Sequence, residues 1–348
     1  MKKIFPAACL IFFFSYAGLK AQTEKIDVYF YMETYYQTNP SYSGPDESVP
    51  FYYSFPKYNQ FSLNTAILGA KTSADDYRAA LGFIAGDFAE TNWSAEPEIF
   101  RNLYEGYIGF KVTKSLWVDA GVFGSHIGNE SVTSAYNMSP TQSMIAENSP
   151  YYETGIKVSY EGEVFLISAL LLNGWQNIRE NNSNKAFGWQ TQYRLSGQLT
   201  LNSSSYYGEG YNAPDSLKKL RFFHNFYALY SPASKFQTAL AFDIGLQESG
   251  KDNKYLSWKG FSLAFKYLLS SKINIGCRAE VYYDKSGLVM PDGLKTSGFS
   301  AGFDYYVNPH VLFRAEGKYL NADKEIFFSG SGRSKDRFSF LTSLSFKL

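Results

Sequence analysis

Hydrophobic and polar side chains alternate along the final segment of the chain, residues 337–348. Every second residue from Phe338 to Leu348 is apolar or threonine, whereas the residues between them are mostly polar. Successive side chains of a β-strand point to opposite faces, so this segment predicts a strand with one apolar face. The same period of two recurs in residues 236–245 and 273–282. Each run has about ten residues, the length that a tilted strand needs to cross a bilayer.

The same pattern, followed along the whole chain, predicts sixteen strands. They are residues 26–36, 60–71, 76–87, 101–113, 115–125, 151–160, 164–174, 186–195, 198–208, 219–230, 235–247, 257–269, 272–284, 296–307, 310–320 and 337–348. An even number of strands suits a closed antiparallel barrel, in which no backbone group is left unpaired in lipid.

The connections between these strands alternate between short and long. Ser196-Gly197 and Ser270-Ser271 are short, whereas Gln37 to Asn59 and His126 to Pro150 are long. Outer-membrane barrels have short periplasmic turns and longer external loops. We therefore predict an all-β transmembrane antiparallel β-barrel of about sixteen strands, with eight external loops and both chain ends in the periplasm.

The N-terminal segment has the pattern of an export signal. Two lysines precede an apolar stretch, residues 4–16, and small residues follow it. Cleavage after Ala21 makes residues 1–21 the signal peptide and residues 22–348 the mature barrel, while cleavage after Ala17 stays open. The apolar stretch is shorter than the roughly 20 residues of a spanning helix. We therefore expect export through the periplasm to the outer membrane, with the signal peptide removed.

The composition supports a membrane barrel although the mean hydropathy is slightly negative. The chain contains 29 Tyr, 30 Phe and 5 Trp, and these aromatic residues favour interfacial girdles over the core of a secreted β-sandwich. Removing the three signal lysines leaves 30 of the 33 basic residues against 32 acidic ones, so no net positive charge attracts nucleic acid. Only Cys277 remains after cleavage, which excludes a disulfide within one chain.

Polar side chains on the opposite strand faces predict the lining of the bore. A barrel of sixteen strands leaves an aqueous channel, whereas about eight strands fill with side chains. Acidic and basic residues are almost equally frequent on these faces; they can create a transverse field or pair with neighbours, and we favour pairing. The pore-lining candidates are Glu33, Arg78, Glu105, Lys111, Asp119, Glu153, Lys157, Arg194, Asp243, Arg278, Glu280, Arg314 and Glu316.

Six sequence segments in the first half of the mature chain follow one another in a recognisable order. They are residues 31–36, 103–107, 117–123, 124–131, 149–155 and 173–176. Together they resemble the OmpL-like β-barrel porin family of Gram-negative outer membranes, whereas the second half matches only as generic barrel strands. The chain also ends in Leu348, where the terminal strand of such proteins usually ends in Phe. The resemblance implies an outer-membrane channel-like role, without catalytic residues and without a defined substrate. The strand number and the polar bore predict passive diffusion of small polar solutes or ions.

The third external loop, His126 to Pro150, is long enough to fold inward. Sixteen-stranded porins commonly narrow their pores with this loop, so Glu130, Asn137 and Glu147 are constriction candidates by analogy. An outward loop with ordinary turn chemistry is the equally weighted alternative. Trp175, which closes the seventh strand, is interpreted as a rim aromatic in preference to a sugar-stacking platform.

Catalytic and metal-binding motifs are sparse. The three histidines do not form a metal-binding helix, and His126 with Ser125 or Ser131 is the only local Ser–His candidate for a hydrolase. We therefore expect no enzymatic activity, no metal and no cofactor. The expected partners are outer-membrane lipid, lipopolysaccharide and small polar solutes, with no nucleic acid and with a homo-oligomer left open. A closed or plugged barrel that acts as a surface adhesin or structural protein is the alternative function.

Overall fold

The computed structural model describes most of the chain after its N-terminal segment. The described residues are 25–41, 49, 51–182, 184–210, 219–248, 254–290, 293–330 and 332–348. The predicted signal peptide, residues 1–21, lies outside the described residues.

Within these residues the chain forms eighteen strands and two short α-helices. The strands are β1 (Ile26–Thr38), β2 (Phe61–Ser73), β3 (Tyr77–Ala85), β4 (Leu103–Thr113), β5 (Leu116–Gly124), β6 (Tyr152–Glu161), β7 (Phe165–Leu172), β8 (Ala186–Leu195), β9 (Leu199–Glu209), β10 (Leu220–Ala233), β11 (Phe236–Glu248), β12 (Tyr255–Leu268), β13 (Ile273–Asp284), β14 (Leu294–Tyr306), β15 (Val311–Ala322), β16 (Phe327–Ser329), β17 (Gly332–Ser334) and β18 (Asp336–Lys347). The helices are α1 (Asp87–Asn92) and α2 (Met144–Glu147).

Sixteen of these strands close an antiparallel barrel. Each pairs with its neighbours along the chain, and β1 pairs with β18 in a register that places Glu33 opposite Ser345. This last pairing leaves the sheet without an edge, so the backbone groups of the spanning strands find partners within the sheet. Every predicted strand matches an observed one within three residues at each end. The strand prediction is therefore confirmed. It succeeds because strict alternation of apolar and polar residues over about ten residues is a strong signal for a strand.

The connections alternate in length as predicted, and the long ones lie together at one end of the barrel. We take this end as external, following the rule for outer-membrane barrels. The first external loop, L1, comprises residues 39–60, and the third, L3, comprises residues 125–151. The short turns at the other end are residues 74–76, 114–115, 162–164, 196–198, 234–235, 269–272 and 307–310.

The long connections contain structure that the alternation did not predict. The connection after β3 contains α1, L3 contains α2, and β16 and β17 form a separate hairpin in the last connection. These elements have between three and six residues, too few for a hydrophobic period to be visible. In the described part of the chain, no helix is both long and apolar enough to cross a membrane.

The two faces of the strands differ as the sequence predicts. Ile275 and Leu344 on the outer face are 46% and 49% exposed, whereas Arg278 and Ser343 on the inner face are 2% and 3% exposed. An apolar outer face is stable in contact with lipid, and the polar inner face can remain hydrated only inside the barrel. The predicted facing is therefore confirmed.

An apolar cluster fills much of the external half of the bore. It contains Phe51 from L1, Ile145 from L3, and Phe223 and Trp258 from the wall. A Cβ atom at Gly260 would lie 2.2 Å from the Ile145 side chain, so glycine is needed for L3 to approach the wall. The bore is consequently narrower than strand number alone suggests, because loop residues occupy space that the wall leaves empty.

Arginine substitutions test the facing of the strands. Leu240→Arg places a cation on the lipid face at mid-strand and should cost about 2–4 kcal/mol of barrel stability. Ile275→Arg should cost less, because Ile275 lies nearer the periplasmic end of β13 and the penalty falls towards the interface. Gln237→Arg should be tolerated, since Gln237 lines a cavity inside the barrel.

Urea unfolding of the variants in lipid vesicles measures these free energies. Equal tolerance of Leu240→Arg and Gln237→Arg would mean that the assigned facing is wrong by one residue.

Candidate functional site

L3 crosses the entire bore of the barrel. The loop leaves β5 and returns to β6. In the ring of sixteen strands, β13 lies directly opposite β5 and β14 lies directly opposite β6. Side chains from β12, β13 and β15 nevertheless contact its backbone directly. L3 therefore reaches the wall opposite its own attachment, so of the two equally weighted conformations the loop adopts the inward one.

Arg314 of β15 holds the first part of L3. Its guanidinium donates hydrogen bonds to the backbone oxygens of Ser134 at 2.6 Å and of Asn137 and Met138 at 3.2 Å each. Lys266 of β12 donates a further hydrogen bond to the Asn137 carbonyl at 3.1 Å. Buried carbonyl groups need donors, and donors that carry charge form the stronger hydrogen bonds. These two cations thus satisfy carbonyl groups in a stretch of loop backbone whose regular structure is limited to one 3₁₀ turn, Ser134–Tyr136.

Arg278 of β13 and Lys318 of β15 hold the next part of L3. Arg278 donates to the Thr141 carbonyl at 2.5 Å, to the Thr141 hydroxyl at 2.9 Å and to the Gln142 carbonyl at 3.1 Å. Lys318 donates to the same Gln142 carbonyl at 3.3 Å. Four cations from three strands therefore fix residues 134–142 of the loop against the far wall.

Carboxylates of the same wall accept hydrogen bonds from L3. Glu316 accepts from the Thr141 amide at 3.0 Å, and Glu280 accepts from the Met144 amide at 2.7 Å. Glu280 also lies 3.1 Å from the Lys318 ammonium. The wall thus offers both donors and acceptors to the loop, and its opposite charges pair with one another as we expected.

The pore-lining candidates on the near side of the bore also form pairs. Arg78 bonds to both oxygens of Asp119 at 2.6 Å and reaches Glu161 at 2.9 Å, while Lys157 lies 3.6 Å from Asp119. Lys111 places its ammonium 4.8 Å from the centre of the Trp117 ring. This network lies on the inner faces of β3 to β6 and touches no L3 residue through these contacts.

Two acidic candidates contact L3 or its supports without a cation. Glu33 accepts hydrogen bonds from Asn64 at 3.0 Å and from the Ser134 hydroxyl of L3 at 2.6 Å. Asp243 accepts one from the Asn225 amide at 2.5 Å. Both carboxylates are buried.

Two further candidates, Glu105 and Arg194, form their hydrogen bonds with residues of the wall and not with L3. Glu105 accepts a hydrogen bond from Tyr29, and Arg194 donates to Gln192 at 2.9 Å near the periplasmic turn. Their positions on the inner face agree with the predicted alternation.

The constriction candidates Glu130 and Asn137 act within L3 itself. Glu130 accepts hydrogen bonds from the amide and hydroxyl of Ser143 across the loop, and burial raises the pKa of its carboxyl. The Asn137 side chain accepts from the Ser131 amide at 2.7 Å and donates to the Ser131 carbonyl at 2.8 Å. These contacts hold the loop in one shape, so both side chains serve its conformation.

Glu147, the third constriction candidate, joins L3 to L1. Its carboxyl accepts hydrogen bonds from the backbone amides of Tyr53 at 2.9 Å and Ser54 at 3.2 Å, and it also contacts the Ser54 hydroxyl. Burial raises the pKa of Glu147 to about 7, although these hydrogen bonds act in the opposite direction. The contact between the two loops is thus formed by a carboxyl group that titrates near neutral pH.

His126 anchors the start of L3. Its Nε2 lies 2.8 Å from the Ser205 carbonyl and its Nδ1 lies 2.8 Å from the Glu153 carboxylate. Both partners accept, so both ring nitrogens carry protons and the ring is an imidazolium. Burial lowers the pKa of His126, but Glu153 outweighs it and the net pKa is raised. The His126–Glu153 pair therefore contributes its full stabilisation below the ordinary histidine pKa. This stabilisation is lost as the pH rises through the raised pKa of His126 in the folded protein.

Trp175 does not lie in a rim girdle, so the rim interpretation is wrong. The side chain is 7% exposed and meets Tyr206 and Phe223 edge to face, with ring centres 5.0 Å apart in each case. Arg221 lies over its ring at 4.8 Å. Sequence reasoning also missed Arg221 and Lys266, although both occupy inner positions of alternating strands and could have been found by extending that pattern.

Three of the cavities in the described part of the chain lie around L3. One of 240 Å³ lies between L3 and β10 to β13 and is lined in part by Glu130 and Gln237. One of 300 Å³ lies on the side of β1 to β4 and is lined in part by Glu105 and Tyr136. The third, of 230 Å³, is the external vestibule beside Glu147. Among the described residues, no group of three or more His, Cys, Asp or Glu side chains is arranged to hold a metal ion.

A closed barrel of sixteen strands with a loop folded across its bore is the architecture of an outer-membrane porin. The family model described as "Putative beta-barrel porin-2, OmpL-like" matches residues 25–348. The chain belongs to this family, and it is an outer-membrane channel for the diffusion of small solutes. No curated protein sequence matches the chain.

Solved structures share the fold at low sequence identity. The anion-selective porin from Comamonas acidovorans has a TM-score of 0.64 at 9% identity, over 93% of this chain and 100% of that one. Salmonella typhi OmpF in complex with daunomycin has a TM-score of 0.64 at 11% identity, over 93% and 98%. Vibrio cholerae OmpT, described as a trimer form, has a TM-score of 0.61 at 10% identity, over 93% and 99%. At these identities the likeness shows the fold alone.

Replacing Arg314 tests whether the far wall holds L3. Arg314→Met keeps the aliphatic stem but removes the three hydrogen bonds that Arg314 donates to the loop, which should weaken loop docking by about 2–5 kcal/mol. The single-channel conductance should rise, because a released loop blocks less of the bore. Arg194→Met is the matched control, since Arg194 lies on the inner face without an L3 contact. An unchanged conductance in Arg314→Met, with L3 still protected from protease, would contradict this role.

Glu147 should make the contact between L1 and L3 depend on pH. Its folded pKa of about 7 lies above the ordinary 4.5, so the protonated form favours the docked loops. Docking is therefore strongest below pH 4.5 and weakens by about 3 kcal/mol as the pH rises past 7. Glu147→Gln resembles the protonated carboxyl and should keep the low-pH behaviour across this window.

Single-channel conductance recorded across this pH range in both proteins measures the effect. The part of the pH dependence that is due to His126 should remain in Glu147→Gln, because His126 acts at another contact. Identical pH profiles for wild type and Glu147→Gln would exclude Glu147 as the titrating group.

Proposed function

We propose that small polar solutes or ions cross this barrel passively through narrow passages beside L3. The observation that carries the proposal is the attachment of L3 to the opposite wall by Arg314, Arg278, Lys266 and Lys318. Because L3 is held at both sides of the barrel, it divides the bore and leaves only the space between the loop and the wall open to solutes. The channel should therefore conduct weakly compared with an unobstructed barrel of the same strand number.

The cavities beside L3 support passage of small polar molecules. The cavity next to β10 to β13 is lined by polar side chains such as Asn137, Ser139, Gln237 and Ser262, with Glu130 and other charged groups among them. Its volume of 240 Å³ holds about eight water-sized molecules, because each occupies about 30 Å³ in the liquid. Hydroxyl and amide groups can replace part of a solute's hydration without binding it tightly.

We also propose that the protein catalyses no reaction. The Ser–His candidate of the sequence depends on a free nitrogen of His126, but both nitrogens contact Glu153 and the Ser205 carbonyl. Ser125 accepts a hydrogen bond from the Ile127 amide at 3.1 Å. This arrangement gives the serine no general base.

The proposed environment follows from the outer surface. The apolar outer face fits outer-membrane lipid and lipopolysaccharide, and residues 1–21 would direct export as a signal peptide that is removed. Small residues on the outer faces of β2 to β5, namely Ala70, Ala79, Gly106 and Ala120, border a shallow groove. Close approach of a second copy at such residues supports a homo-oligomer.

Planar-bilayer recording tests the proposed conduction. The purified protein should give small, discrete conductance steps that are larger in Arg314→Met. Bilayers that stay silent with both proteins would contradict conduction. They would favour the alternative of a closed barrel that acts as an adhesin or structural protein.

The apolar cluster in the external half of the bore is the observation that favours this alternative. The alternative predicts binding to a macromolecule that is lost when residues 37–59 are shortened. Solute flux into vesicles would be absent in both the shortened and the full-length protein.

A further inference from the structure

Arg221 lies in the external vestibule, where neighbouring side chains fix its position. It lies near the external end of β10, directly opposite Gln247 on β11, and its side chain is only 5% exposed. Together with Leu288 and Val289 it lines the cavity of 230 Å³. A solute that enters from outside reaches this cavity before it reaches the passages beside L3.

Two indole rings hold the guanidinium of Arg221 between them. Its central carbon lies 4.8 Å from the centre of the Trp175 ring and 4.9 Å from that of Trp258. Aromatic faces attract a cation and fix its plane, which limits the rotamers available to the side chain. Among the described residues, Arg221 forms no ion pair with a carboxylate. Its charge is thus held in place without being neutralised.

The hydrogen bonds of Arg221 leave one edge of the guanidinium unused. Its Nε and one terminal nitrogen both donate to the Gln247 side-chain oxygen, at 3.0 Å and 2.6 Å. The edge formed by the two terminal nitrogens has no other partner within the described chain. Two parallel N–H groups at this spacing match the two oxygens of a carboxylate or a phosphate.

Two acidic groups nearby, among the residues that the structure describes, bind other partners and do not compete for this edge. Glu147 lines the same cavity, but its carboxyl is bound to the Tyr53 and Ser54 amides. Asp284 accepts hydrogen bonds from the Leu288 and Val289 amides at 3.0 Å and 2.7 Å. Within the described part of the chain, the vestibule therefore contains a fixed positive charge that no carboxylate pairs with, so its guanidinium can accept an oxyanion from a solute.

We propose that Arg221, held between Trp175 and Trp258, binds the oxyanion group of a small solute, a carboxylate or a phosphate, in the external vestibule. Gln247 orients the guanidinium, and Leu288 and Val289 contact the remainder of the solute. The size of the cavity restricts the solute to a small organic acid or a phosphorylated compound of similar size. The role of this site in uptake rests on the proposed channel, but binding itself requires no conduction.

Equilibrium binding to the full-length barrel in detergent tests this proposal. The probes are butyrate, inorganic phosphate and the neutral isostere butyramide, and the signals are calorimetric heat and the fluorescence of the flanking tryptophans. Butyrate or phosphate should bind saturably, and butyramide should not. The stronger of the two anions identifies whether the natural solute carries a carboxylate or a phosphate.

Two variants locate the binding at Arg221. Arg221→Met removes the charge and the donors, and Gln247→Glu supplies an internal carboxylate that neutralises the guanidinium with almost no change in shape. Each should weaken anion binding by about tenfold or more. Arg194→Met, on the same inner face at the periplasmic end, should bind like the wild type.

Full binding in Gln247→Glu and Arg221→Met, or equal binding of butyramide, would overturn the proposal. The absence of anion binding in the wild type would also overturn it. Silent bilayers together with anion binding would contradict the proposed channel and leave this site intact.

Discussion

Hydrogen bonding between β1 and β18 is the interaction on which the rest of the structure depends. In lipid an unpaired backbone group costs several kcal/mol, so a sheet with open edges is not stable there. Pairing the first strand with the last removes both edges at once. It also creates an enclosed interior, and only because that interior exists can charged side chains such as Arg278 and Arg314 be buried on the inner faces of spanning strands.

Within this interior, the loop and the wall satisfy each other. Residues 134–142 of L3 have little regular structure, so most of their carbonyl groups must find donors outside the loop. Arg314 and Arg278 supply these donors while they remain paired with carboxylates, Arg314 with Asp304 on the neighbouring strand β14 and Arg278 with Glu280 on its own strand β13. The same arginines thus keep the wall polar and donate hydrogen bonds to the loop backbone. Because each arginine also pairs with a carboxylate, the lumen contains charges of both signs.

The sequence was sufficient for the barrel but not for its interior. Strand number, facing and connection lengths follow from a period of two that any single strand, such as residues 337–348, already shows. The contact between Glu147 and the Ser54 amide could not be predicted, because it joins two loops without any repeating pattern. The burial of Trp175 was missed for the same reason: an aromatic residue after a strand has the same local sequence whether it faces lipid or lies inside the bore.

The anchors of L3 come from parts of the chain that are synthesised long after the loop itself. Arg314 follows its partner Ser134 by 180 residues, and Arg278 follows Thr141 by 137. The loop cannot find its donors until β12 to β15 are in place, so the barrel must assemble around a bore that is still unfilled. Docking of the loop is therefore a late folding step, and it takes place only in molecules whose second half has joined the sheet in the correct register.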